Sequence, residues 1–147
     1  MTPTKPSAQK SRMMSQVRTQ GTAPELAIRS TLHAAGFRFR LHRKNLPGKP
    51  DIVLPKYNIV IFVHGCFWHH HEGCLKSKLP LTRKEFWVNK IAVNVERDKR
   101  NIAELKRLGW RIAIVWECCI KNQKNKSATV ESLTRWIFSE SEWFESV

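Results

Sequence analysis

The run Ile59-Val60-Ile61-Phe62-Val63 leads directly into His64-Gly-Cys-Phe-Trp-His-His-His-Glu-Gly-Cys74, eleven residues that hold four histidines and two cysteines. A β-branched apolar run reads as a strand, and a strand here would fix the loop after it rigidly at one end of a sheet. No packing need explains the loop's composition. Thiolate and imidazole together suit a zinc ion, a spare imidazole suits proton transfer near neutral pH, and Phe67-Trp68 sets a bulky apolar tip beside them. A reactive site is expected there.

A chain of 147 residues has the length of one domain and can enclose a core without disulfide staples. Its formal net charge is +14, and of twelve acids only Glu25 and Asp51 precede Glu72. Charge this lopsided costs self-repulsion and points to a polyanion, with nucleic acid the leading partner. A membrane role is disfavoured, because the aliphatic runs are strand-sized and no strongly amphipathic basic helix stands out. Residues 1 to 22 are polar and basic without an apolar stretch, so no export signal is read. A cytoplasmic protein with reduced cysteines is expected, which favours metal ligation over disulfides.

Residues 1–21 read as a flexible basic arm, 22–138 as the folded domain and 139–147 as an acidic tail. Thr22-Ala-Pro-Glu25 predicts a helix start, with a hydroxyl cap, proline in the first turn and a glutamate reaching back to the cap amide. Gly36 ends that helix. Phe37 to Leu41 alternates as a half-buried strand, Asp51 to Leu54 is a second, and Pro55-Lys-Tyr-Asn58 turns into the third at Ile59 to Val63 as a hairpin. Thr82-Arg-Lys-Glu85 repeats the capping pattern before a long helix that runs to Gly109. Trp110 to Trp116 is the last strand, and Val130, Leu133 and Ile137 mark a short final helix. The order is α-β-β-β-α-β, with loosely structured ends.

Spacing makes Cys66, His71 and Cys74, joined by Cys118 beyond the last strand, a candidate tetrahedral zinc site. The alternative is that these cysteines are small buried hydrophobes, which suits Cys119. Four protein ligands would make the ion structural. The isolated Asp51 and the backbone carbonyl near Val63 are candidate ligands for a hard cation such as magnesium. Of the remaining histidines, His64 and His69 are candidates for phosphate chemistry, His70 for solvent exposure, and His33 and His42 for structural roles. Phe67-Trp68 and Phe86-Trp87 could pack in a core or unstack bases as wedges.

Leu-Pro-Gly-Lys-Pro-Asp51, the strand Ile59 to Val63, His64-Gly-Cys-Phe-Trp-His69, Glu85-Phe-Trp87, Asn94-Val-Glu-Arg-Asp98, Leu108-Gly-Trp110 and Val115-Trp-Glu-Cys118 together resemble the very-short-patch-repair (Vsr) DNA mismatch endonucleases. The resemblance runs from about residue 10 to 120. It implies a restriction-endonuclease-like α/β core, a mixed central sheet flanked by helices, with a structural zinc site. It also implies nicking of duplex DNA 5′ to the thymine of a T·G mismatch left by deamination of 5-methylcytosine. A functional link to a cytosine-5 DNA methyltransferase and to mismatch-repair proteins follows, with the enzyme acting as a monomer.

Carried over by position, the resemblance makes Asp51 the magnesium carboxylate, with the Val63 main-chain oxygen beside it. His69 is the general base, His64 supports the scissile phosphate, and Glu25 assists through water. Cys66, His71, Cys74 and Cys118 match the zinc ligands. Phe67, Trp68 and Trp87 match a major-groove wedge, Met14 a residue entering from the minor groove, and Lys90 and Asn94 positions near the mismatched pair. The chain departs from the family pattern at Val63, where a hydroxyl residue occurs, and at Glu72-Gly73, which lengthens the interval to Cys74 and leaves His70 or His71 as the imidazole ligand. Competing classes are a restriction enzyme that cuts both strands of matched duplex, and a zinc-dependent DNA-binding module without catalysis.

Overall fold

A computed structural model describes residues 21–146, so the basic arm up to residue 20, Met14 included, lies outside the described residues. Helix α1 spans Ala23–Ala34, and strands β1 (Arg40–Leu41), β2 (Ile52–Leu54) and β3 (Ile59–His64) follow. Then come α2 (Lys84–Arg107), β4 (Arg111–Trp116), α3 (Gln123–Ile137) and β5 (Trp143–Glu145). The five strands form one mixed sheet in the order β1-β2-β3-β4-β5. The β1–β2 and β2–β3 pairs are antiparallel, while β3–β4 and β4–β5 are parallel. Through β4 the elements follow the expected α-β-β-β-α-β order.

Period-two alternation assigns the strand residues to two faces. Ile52, Leu54, Ile59, Ile61, Ala113 and Val115 meet Ile28 and Leu32 of α1 and Leu133 and Ile137 of α3. Val53, Val60, Phe62, Ile112 and Ile114 turn the other way and meet Leu105 of α2. With helices on both faces, β3 and β4 are apolar almost throughout, as strands of a covered parallel pair must be. The β2–β3 hairpin closes at Asn58, whose φ of 58° lies in the left-handed region that asparagine tolerates better than most residues.

Local signals at the helix ends are met unevenly. Thr22 Oγ1 accepts from the Glu25 amide at 3.4 Å as a cap should, but the Glu25 carboxylate accepts from the Gly21 N–H at 3.1 Å, one residue before the cap. At α2 the expected Thr82 cap is absent, and Arg83, at φ 56°, holds the cap position without a side-chain hydrogen bond. The first expected strand shrinks to Arg40–Leu41, although Phe37 is buried and Phe39 packs against the same core.

The C-terminal segment is the main correction. Instead of a loose acidic tail, Trp143–Glu145 adds a fifth strand beside β4. Arg111 braces that turn, because its guanidinium donates to the carbonyls of Trp136 and Ile137 at the end of α3 and of Ser139 and Ser141 just beyond it, at 2.8–3.1 Å. Orphan carbonyls at a helix end are thereby satisfied as the chain reverses. Since Leu133 is wholly buried, Leu133→Ala is expected to lower unfolding free energy by about 2–5 kcal/mol. Leu108→Ala, at a half-exposed position, should change it little, and urea denaturation of both variants measures the contrast.

Candidate functional site

Parallel pairing aligns the C-terminal ends of β3 and β4, with His64 opposite Trp116. Cys66 lies two residues beyond one strand and Cys118 two beyond the other, so the ladder delivers both thiols to one place. Cys66 Sγ is 3.6 Å and Cys118 Sγ 3.4 Å from His71 Nδ1, and Cys74 joins them with all four ligand atoms within 4.8 Å of one another. Glu117 Oε1 accepts from the Cys66 amide at 3.1 Å and ties the loop to the end of β4. Burial pushes the Cys66 and Cys118 thiols up, whereas the Lys76 backbone N–H pulls the Cys74 thiol down. An ion captured here must therefore displace protons.

Tight turns wind the loop, with the amides of His69, His70, His71 and Cys74 donating to the carbonyls of Gly65, Phe67, Cys66 and His71. His70 takes a φ of 53° and is exposed, and this left-handed residue separates its two neighbours. His71 joins the cysteines. His69 turns to α2, where its Nδ1 lies 2.6 Å from Asp98 Oδ2. That contact places the proton on Nδ1 and leaves Nε2 as the basic nitrogen. His64 stacks on His69 with ring centroids 3.8 Å apart, and its burial, aided by the charges of His69 and Arg97, drives its pKa well down. His64 is therefore a neutral imidazole at physiological pH.

Asp51 opens β2 at the same end of the sheet, where its Oδ2 accepts from the Val63 amide at 2.7 Å. Burial, opposed by that hydrogen bond, raises its pKa from 3.8 to about 6, and nearby Glu25 adds to the rise while His42 and His69 oppose it. Asp51 and His69 thus act on one another electrostatically across a shared site. Glu25 is 2 % exposed and paired with Arg29, and its Oε2 lies 2.7 Å from His42 Nε2. Glu25, His42 and Asp51 bring their ligand atoms within 4.8 Å of one another. His42, which has no partner legible in the sequence, is a member of this group. Its backbone amide also donates to the Asp51 carbonyl at 3.2 Å.

The aromatic residues gather at the other end of the loop. Phe67, Trp68 and Trp87 stand mutually edge-on at 5.1–5.8 Å, Phe86 lies 5.1 Å from Trp87, and the Arg83 guanidinium covers Phe86 at 4.4 Å. Trp68 and Phe86 are nearly half exposed, so this cluster is a surface feature rather than core. Lys90 is exposed on α2. Asn94 is buried and donates to the Trp68 carbonyl at 3.1 Å, so it steadies the aromatic loop from beneath. Trp87, Ile91, Asn94 and Asp98 recur at three- and four-residue spacing along one face of α2, and Leu105 follows two turns further on.

Asp98, His42 and Glu117 are the site residues that residue patterns alone did not single out. Asp98 lies four residues after Asn94, on the helix face turned to the loop, and that spacing was the available signal.

A carboxylate held protonatable by burial, an imidazole oriented by a second carboxylate and a stacked neutral imidazole, on so cationic a chain, define a nuclease class of site that acts on phosphodiesters. The family model described as DNA mismatch endonuclease Vsr matches residues 4–76. The Type II nicking enzyme V.XorIIP of Xanthomonas oryzae is 56 % identical over 106 residues, covering 72 % of this chain and 77 % of that protein. The DNA mismatch endonuclease Vsr of Escherichia coli is 47 % identical over 135 residues, covering 90 % and 86 %. The Type II nicking enzyme V.NmeAIP of Neisseria meningitidis is 43 % identical over 116 residues, covering 79 % and 82 %. The chain belongs to the Vsr family of DNA mismatch endonucleases.

The raised Asp51 pKa makes the native state bind a proton that the unfolded chain releases between pH 3.8 and about 6. Stability therefore falls as pH rises through that window, and the cost is fully present at pH 7 and absent below the unfolded value. Asp51→Asn keeps an acceptor for the Val63 amide. It should stabilise the protein by on the order of 2–3 kcal/mol at pH 7.5 and by almost nothing at pH 3.5, measured by urea denaturation.

Proposed function

We propose that the chain nicks one strand of duplex DNA on the 5′ side of the thymine in a T·G mismatch produced by deamination of 5-methylcytosine. The observation that carries this reading is the convergence of Asp51, the His69–Asp98 pair and the exposed aromatic cluster at one end of the sheet. Restriction-endonuclease-like topology is supported by the α-β-β-β-α-β order up to β4. The product is a nick with a 5′-phosphate, handed to mismatch-repair proteins, and the functional link to a cytosine-5 DNA methyltransferase is that it makes the 5-methylcytosine whose deamination leaves the mismatch. The enzyme works as a cytoplasmic monomer on DNA. No helix among the described residues is long and apolar enough to cross a membrane.

His69 Nε2 takes a proton from the attacking water while Nδ1–H donates to Asp98, which holds the ring in place and stabilises its charged form. The water oxygen bonds to phosphorus in line with the departing 3′-oxygen, the P–O3′ bond breaks, and that oxygen acquires a proton from solvent. Neutral His64 donates a hydrogen bond to the phosphate. Glu25 orients water beside Asp51. The Asp51 and Glu25 carboxylates bring oxygen donors that would suit magnesium, with His42 the third member of their group, and the Val63 carbonyl would be the main-chain ligand. When bound, the ion supplies positive charge against the scissile phosphate.

For the second centre the donor chemistry favours zinc. A tetrahedral ion with Zn–S near 2.3 Å and Zn–N near 2.0 Å sets S···N edges of about 3.5 Å, and His71 stands 3.6 Å from Cys66 and 3.4 Å from Cys118. Cys66, His71, Cys74 and Cys118 leave no open position, so this ion is structural. Phe67, Trp68 and Trp87 enter the base stack from the major groove, where a T·G pair opens more easily than a matched one. Lys90 approaches the mismatched pair, Asn94 holds the Trp68 loop beneath it, and Met14, outside the described residues, reaches in from the minor groove.

A panel of labelled duplexes resolved strand by strand tests the reading. With magnesium, the T·G duplex should be nicked in the thymine strand while the matched duplex stays whole, and cleavage of both matched strands would instead identify a restriction-type enzyme. Asp51→Ala should reduce nicking to background with DNA binding retained, and His69→Ala should slow it about 10²–10⁴-fold. Elemental analysis should find one zinc per chain in the wild type and a substoichiometric amount in Cys118→Ser, with a lowered melting temperature.

A further inference from the structure

One ring lies between the two centres. The Trp116 indole stacks on His71 at 4.3 Å with planes 6° apart, and it meets His64 edge-on at 5.2 Å. His64 in turn lies flat against His69 at 3.8 Å. A continuous file of rings thus runs from the thiol-bound imidazole to the imidazole held by Asp98.

Trp116 is 6 % exposed, and its hold comes from the C-terminal strand. Its indole N–H donates to Glu145 Oε2 at 2.8 Å, and its backbone N–H donates to Ser146 Oγ at 2.8 Å. A buried indole N–H needs an acceptor, and a carboxylate makes that bond stronger than a neutral group would. Glu145 and Trp143 also wall a cavity of about 300 Å³ that backs onto His64, His69 and Asp98. Trp116 lines the same cavity, so its packing is incomplete on that side, and the Glu145 bond restrains the ring there.

We propose that Glu145 is a positioning residue that acts through Trp116, fixing with one ring both the imidazole of the zinc site and the imidazole pair that serves the scissile phosphate. The proposal rests on the nicking reading for its catalytic half. It assigns the last strand a role in the reaction through the ring that it holds. Loss of an outer partner of this kind lowers metal affinity or activity by about 10- to 100-fold.

The test compares full-length wild type, Glu145→Gln, Glu145→Ala, Trp116→Phe and the Ala/Phe double variant. Two readouts are taken: kcat and KM for nicking a T·G duplex, and the rate at which zinc passes to a chromophoric chelator. Glu145→Ala should lower kcat about 10- to 100-fold with KM unchanged and speed zinc release by a comparable factor. Glu145→Gln keeps an acceptor oxygen and should stay close to wild type in both. Trp116→Phe should match Glu145→Ala, and the double variant should be no worse than either alone, since both remove the same bond. Wild-type kcat or wild-type zinc release in Glu145→Ala overturns the proposal, as does a Gln variant as impaired as the Ala variant. A wild-type protein that does not nick T·G duplex refutes the nicking reading, while its zinc-release series still decides whether Glu145 holds the metal-side ring.

Discussion

The parallel pairing of β3 with β4 is the constraint on which the rest depends. Its register sets His64 opposite Trp116, and everything reactive is measured from those two strand ends. Cys66 and Cys118 meet because they lie equally far beyond paired residues, and Asp51 joins them because β2 is bonded to the other edge of β3. A shift of one residue would move every side chain to the opposite face and dismantle both centres. Burial on both faces specifies the register strongly, since β3 and β4 have no polar face to offer solvent.

Around that frame the chain accepts costs that a purely structural protein would avoid. Asp51 is raised by burial and Glu25 is almost fully enclosed, yet the two carboxylates stand near each other. Arg29 and His42 relieve Glu25, while Asp51 has a single backbone donor and the nearby imidazoles of His42 and His69. Such strain is expected where a site waits for a cation. The surplus of Lys and Arg elsewhere raises self-repulsion, and a polyanionic duplex would remove it on binding.

How much of this could be read from the residues depends on the range over which each signal acts. The β-branched run of β3, the Asn58 turn, the Thr22 cap and the three- and four-residue spacing in α2 are local, and they were legible. The Cys/His quartet was legible from spacing plus one cysteine after the last strand, and the structure brings together Cys66, His71, Cys74 and Cys118 while His70 stays exposed. Strand β5 is not legible because three residues in an acidic stretch carry almost no pattern, and what holds them is pairing with β4 and the Trp116 indole, about thirty residues away in sequence. His42 and Asp98 escaped the residue pattern for the same reason, since each gains its meaning from a distant partner. At the start of α2 the Thr82 capping signal was present, and the backbone placed the cap at Arg83 instead.

Helix α2 carries the partly buried Trp87 near its start, Asn94 under the Trp68 loop, Asp98 against His69 and Leu105 in the core. Eleven residues of helix separate Trp87 from Asp98, about 16 Å of stiff rod. On the reading proposed above, the same rod that feels whether the aromatic rings have found a gap in the duplex also aims the proton acceptor. On that reading, fidelity needs no separate messenger, because recognition and cleavage share a ruler and a duplex that refuses the rings leaves its phosphate off the mark.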